Sequence, residues 1–144
     1  MLKAISIHAT VEMTENPELR SSNPDQKVIL IAEDDAVVRS IAQIVLEAAG
    51  YFVLSANDGA DALNISRQYP GTIHALLSDV QMPNIDGLQL RAQILSERPE
   101  TRVLLMSAQL ESSAENIPIL RKPFSPAVLV ERIRQLLRSI RALR

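Results

Sequence analysis

The chain of 144 residues has no cysteine and no tryptophan, and only two tyrosines, two phenylalanines and four glycines. Without cysteine there can be no disulfide scaffold, no thiolate-held zinc and no thiol nucleophile. No apolar run approaches the ~20 residues that cross a bilayer, so no membrane insertion is expected. Neither sign of charge dominates: 15 Lys and Arg stand against 17 Asp and Glu, a net charge of −2 that gives no global reason to bind nucleic acid. What is present is apolar residues, at 47% of the chain, enough for a real core and too many for a disordered polymer. The length suits one folded domain and leaves no room for a second.

Two regions differ in composition. In residues 1–26, Ile5, Ile7, Ala9, Val11 and Met13 alternate with Ser6, His8, Thr10 and Glu12. That period of two predicts either a strand that adds to the sheet edge or swaps to a partner, or a flexible tail. Thr14–Lys27 carries two prolines and many polar residues and reads as a linker, and nothing in this extension has the layout of a signal peptide. From residue 27 to 144 short apolar strands alternate with helical patterns. The predicted strands are 28–32, 52–55, 73–78, 102–106 and 117–120, the last expected at a sheet edge because of Pro118. The predicted helices are 36–49, 58–68, 86–98, a weak stretch at 108–116, and 126–142. Val37, Ile41, Ile44 and Val45 form the expected buried stripe of the first helix, and Leu129, Ile133, Leu136 and Ile140 that of the last. Five strands alternating with helices predict an α/β fold, a doubly wound parallel sheet with helices on both faces.

Chemistry gathers where strands end. The first strand runs into Glu33-Asp34-Asp35, the third into Asp79, the fourth into Ser107 and the fifth into Lys122. In a parallel sheet these ends share one edge, where ligands bind. Carboxylates crowded there repel one another unless a cation joins them. An oxygen-only site with open positions suits Mg2+, with Asp79 a candidate nucleophile for phosphoryl transfer. Glu33 is expected to be a solvated neighbour. His8 and His74 are expected to be structural or exposed, and Arg67, Arg91 and Arg98 to be ordinary surface charge.

The segments VILIAEDD (28–35), LLSDVQMPNIDGL (76–88), VLLMSA (103–108) and LRKPF (120–124) resemble the receiver domain of two-component response regulators. The resemblance spans Lys27 to Leu137. It implies a flavodoxin-like sheet of order 2-1-3-4-5, in which Asp79 accepts a phosphoryl group from a phosphohistidine. Asp35, Asp34, Asp79 and the carbonyl of Gln81 would hold Mg2+. Ser107 and the amide of Ala108 would contact the phosphoryl group, Lys122 would pair with one of its oxygens, and Lys122-Pro123 would be cis. It further implies a cytoplasmic, stand-alone switch, catalysing only its own phosphorylation and dephosphorylation. Its partners would be a histidine kinase or phosphotransfer protein and an unknown downstream protein, with no direct nucleic-acid contact. It would be a monomer or a phosphorylation-dependent dimer.

Two features depart from the family pattern. Ile119 stands where an aromatic residue is common, and only 14 residues separate Ser107 from Lys122, so the fourth helix must be short or re-angled. Two other readings compete. One is a receiver-like interaction module that works without phosphorylation. The other is a Mg2+-dependent phosphohydrolase, although such enzymes place their nucleophile after the first strand in an Asp-x-Asp pattern. More simply, one of Asp34 and Asp35 could merely cap the first helix. The arginine-rich end, with Arg134, Arg138 and Arg141 on one helix face, is either a solvated face or a docking patch for an acidic partner.

Overall fold

The computed structural model describes residues 23–109 and 117–142, with side chains through 138. Five strands alternate with four helices: β1 Val28–Ala32, α1 Ala36–Ala48, β2 Phe52–Ala56, α2 Gly59–Gln68, β3 Ala75–Asp79, α3 Gly87–Glu97, β4 Arg102–Ser107, β5 Ile119–Arg121 and α4 Pro126–Ala142. All strand pairings are parallel and the order is β2-β1-β3-β4-β5, as the resemblance implied.

The strands are apolar on both faces because helices cover both. Along β1, Leu30 and Ala32 point into one core with Leu76, Leu105, Leu63, Leu90 and Ile94, the layer beneath α2 and α3. The alternate residues Ile29 and Ile31 join Leu77, Leu104, Met106, Ala42, Leu46, Leu129 and Ile133 beneath α1 and α4. The period of two that a half-buried strand shows in its sequence is lost here, since both sets of side chains are buried.

Helix boundaries follow local chemistry. Asp35 caps α1, its Oδ1 accepting from the N–H groups of Val37 (2.9 Å) and Val38 (3.1 Å). Past the end of α1, Gly50 takes φ +102°, the left-handed conformation that glycine adopts without steric cost. Asp58 caps α2 through the Asp61 N–H, and Asp86 with Gln89 forms a reciprocal capping box on α3.

The structure corrects several expectations. The stripe of α1 is turned: Val45 packs half-buried against the core with the buried Ala42 and Leu46, while Val37, Ile41 and Ile44 are 67%, 49% and 65% exposed. The third strand begins at Ala75 and includes Asp79, and the fifth begins at Ile119, one residue past Pro118, at the sheet edge. Arg98 is no surface charge, as described below. Glu33, expected in solvent, is 1% exposed. The predicted strand at 5–13, most of the linker and residues 110–116 of the predicted weak helix lie outside the described residues, as do the side chains of Ile140 and Arg141.

Candidate functional site

β1 and β3 are neighbours, and their C-terminal ends deliver acids side by side. Carboxylate oxygens of Glu33, Asp34 and Asp79 all lie within 4.8 Å of one another. Glu33 is 1% exposed and Asp79 9%, while Asp34 is open to solvent. One ammonium answers them. Lys122, just after β5, puts Nζ 2.8 Å from Glu33 Oε1 and 3.4 Å from Asp79 Oδ2. Its backbone N–H donates to the Ser107 carbonyl at 2.8 Å, which ties the lysine to the end of β4, and the Lys122-Pro123 bond is cis.

The electrostatics follow from this crowding. Burial pushes the Glu33 carboxyl above its ordinary range; the Lys122 hydrogen bond and the Asp35 N–H oppose the shift, and the Asp79 charge adds to it. Burial alone would lower the Lys122 ammonium. The hydrogen bond and charge of Glu33, joined by Asp79, more than offset that and leave its pKa above the usual lysine value. The ammonium is therefore held charged between Glu33 and Asp79.

The acids are thus grouped differently from the sequence expectation. Glu33 joins Asp34 and Asp79, and Asp35 does not. Asp35 stands outside the group because its carboxylate is the α1 cap, and its N–H donates to Glu33 Oε2 at 3.0 Å. Three consecutive acids follow an all-apolar strand, so no alternation in the sequence marked which of them turns inward. The signal lies in the segment VILIAEDD, where Glu33 directly follows the strand and precedes the Asp pair.

Ser107, the last residue of β4, is 4% exposed, and its Oγ accepts from the Gln109 N–H at 3.1 Å. Ala108 follows it at the surface. Gln81 lines an open depression of about 500 Å3 with Asp34, Val80, Met82, Pro83 and Asp86. The β3–α3 loop that forms this wall turns through Asn84 at φ +68° and folds back on the strand, Gly87 N–H donating to Val80 O at 2.7 Å. A Cβ on Gly87 would collide with the Asp79 carbonyl oxygen, so only glycine permits this approach. Ile119 is half-buried against the core under α2 and α3.

The site therefore combines a buried carboxylate at a strand end, two neighbouring carboxylates, one held cation, a buried hydroxyl and an open mouth. Three oxygens at this separation fit a hard divalent cation with waters in its remaining positions. Among the described residues no helix is long and apolar enough to cross a membrane.

Known proteins resemble this chain in both sequence and fold. Residues 29–134 match the family model described as the response regulator receiver domain. The transcriptional regulatory protein CseB of Streptomyces coelicolor is 38% identical over 123 residues, covering 79% of this chain and 50% of that protein. The crystal structure of the receiver domain from the hybrid histidine kinase CckA is 38% identical, covers 76% of this chain and 98% of that one, and superposes with a TM-score of 0.64. The chemotaxis response regulator CheY4 of Vibrio cholerae, at 24% identity, 78% and 99% coverage and a TM-score of 0.70, shows the same fold. The chain spans about half the length, or less, of the curated relatives it matches.

Proposed function

The chain belongs to the response regulator receiver family of two-component signalling, and from that membership we propose that it is a phosphoryl-accepting switch with Asp79 as acceptor. A carboxylate oxygen of Asp79 attacks the phosphorus of a phosphohistidine on a kinase or phosphotransfer protein. The new P–O bond forms as the P–N bond breaks, and the imidazole leaves with its electron pair. Water later attacks the acyl phosphate, restoring the carboxylate and releasing inorganic phosphate. The observation that carries this reading is the position of Asp79, at a strand end, 3.4 Å from Lys122 and beside Glu33 and Asp34.

Lys122 stands ready to neutralise the oxygens of the incoming group, exchanging its contact with Asp79 for one with phosphoryl oxygen. Ser107 Oγ, at the end of the adjacent strand β4, supplies a hydroxyl to the same group. Asp34, Asp79 and Glu33, with the Gln81 carbonyl, would hold Mg2+, which supplies charge neutralisation when bound. Asp35 caps the helix beside it. The exposed apolar residues Val37, Ile41 and Ile44 begin three residues from Asp34 in sequence, and such a flank supports delivery by a protein and output through protein contacts.

The test is direct. The full chain, incubated with Mg2+ and acetyl phosphate, should gain one phosphoryl group by intact mass, and Asp79→Asn should lose at least about 99% of that labelling while keeping the wild-type fold. Labelling of Asp79→Asn at the wild-type rate would sink the assignment. Repeated turnover on a simple phosphate ester would favour a hydrolase instead.

A further inference from the structure

Ser78 is 0% exposed in the middle of the sheet, opposite Ala32 of β1 and Leu105 of β4. A hydroxyl in such surroundings is costly unless it is bonded. The hydroxyl donates to the carbonyl oxygen of the next residue, Asp79, at 2.9 Å. That carbonyl belongs to the Asp79–Val80 peptide, which is gripped from other directions too. The Val80 N–H donates to Met106 O at 2.9 Å, and the backbone of Gly87 lies against the peptide. What serine adds over alanine is a hydrogen bond to the backbone carbonyl of Asp79 itself.

We infer that Ser78 is a positioning residue for phosphoryl acceptance: its hydroxyl fixes the Asp79–Val80 peptide so that the Asp79 carboxylate meets the donor in line. This rests on Asp79 being the acceptor. A small error in that geometry is expensive, because misplacing a reacting group by about 1 Å can cost on the order of 100-fold.

The experiment uses the full chain, Mg2+ and a range of acetyl phosphate concentrations, followed by intact mass. Ser78→Ala should lower the maximal labelling rate by about fivefold or more, with the half-saturating donor concentration unchanged, since no binding contact is removed. Its circular dichroism and thermal midpoint should stay near the wild type. Ser78→Thr, which keeps the hydroxyl, should recover most of the rate, and Ser78→Cys, similar in size but a weak donor, should not. A Ser78→Ala rate within twofold of wild type, or a loss that Thr does not restore better than Cys, overturns the proposal. Wild-type protein that takes no label at all overturns the phosphoacceptor reading itself, and this inference with it.

Discussion

At the C-terminal edge of the sheet, Glu33, Asp34 and Asp79 crowd around a single lysine. At the N-terminal edge the polar groups are tied to one another. Arg98 donates to Ser66 Oγ, Ser66 O, Tyr69 O and Gly71 O at 2.7–2.9 Å, closing the last turn of α2 and the loop after it. Thr101 Oγ1 donates to Ile73 O at 2.7 Å. His74 bridges strands: its N–H donates to Val28 O, its carbonyl accepts from Arg102, and its Nδ1 accepts from the Val28 N–H at 2.9 Å. Among the described residues the exception is Arg102 Nε, which is buried without a partner. One edge gathers like charge and leaves a mouth; the other spends its polar groups on closing loops. The difference shows how a single sheet can keep its closing bonds at one edge and its crowded carboxylates, where the proposed chemistry lies, at the other.

The strongest attack on this contrast is at the closed edge. Arg98→Ala removes four hydrogen bonds and leaves three backbone carbonyls to water, and should cost about 2–3 kcal/mol in urea unfolding. Labelling by acetyl phosphate per folded molecule should be unchanged, and a matching fall in labelling would mean that the two edges are coupled.

At the open edge the sign reverses. Asp34→Ala relieves repulsion and should raise the melting temperature in the absence of Mg2+ by a few °C, about 1 kcal/mol. It should also abolish the rise that Mg2+ gives the wild type. Thermal scans with and without Mg2+ decide this, and an unchanged or lower metal-free midpoint would count against stored repulsion.

The smallest effect concerns pH. Burial, and then the charge of Lys27, push the His74 pKa below its ordinary value. The unfolded chain therefore binds this proton first as pH falls, and protonation of Nδ1 would end the Val28 bond. The contribution is present above about pH 6.5 and is lost as pH falls through the lower folded-state value. His74→Gln should flatten that part of the curve by less than about 1 kcal/mol between pH 7.5 and 5.5. Identical pH dependence in both proteins would remove His74 from the account.

Much of the open edge was legible in the sequence and little of the closed one. Strand ends announce themselves, because an apolar run stops at a charged or hydroxyl residue, as at Asp79 and Ser107. The buried strands also made the fold readable through their brevity and alternation with helices. Phase was harder. In α1 apolar residues surround more than half the helix, so spacing alone favoured Val37, Ile41 and Ile44 over Ala42 and Leu46. The same loss of phase along VILIA hid the inward turn of Glu33. Arg98 gave no local sign, since three of its four acceptors are carbonyls, all of them 27–32 residues away in sequence, and carbonyls belong to every residue.

Gly87 carries a lesson about reading mutational screens. Under the proposed function, position 79 demands that a particular group be present; position 87 demands that any group be absent, because the first atom of any side chain would land on the Asp79 carbonyl. Both positions have an alphabet of nearly one letter, yet only the first speaks of reactivity. A tolerance map of this chain would mark the two alike, and the distinction returns only when an intolerant position is asked which atom it supplies and which it must leave out.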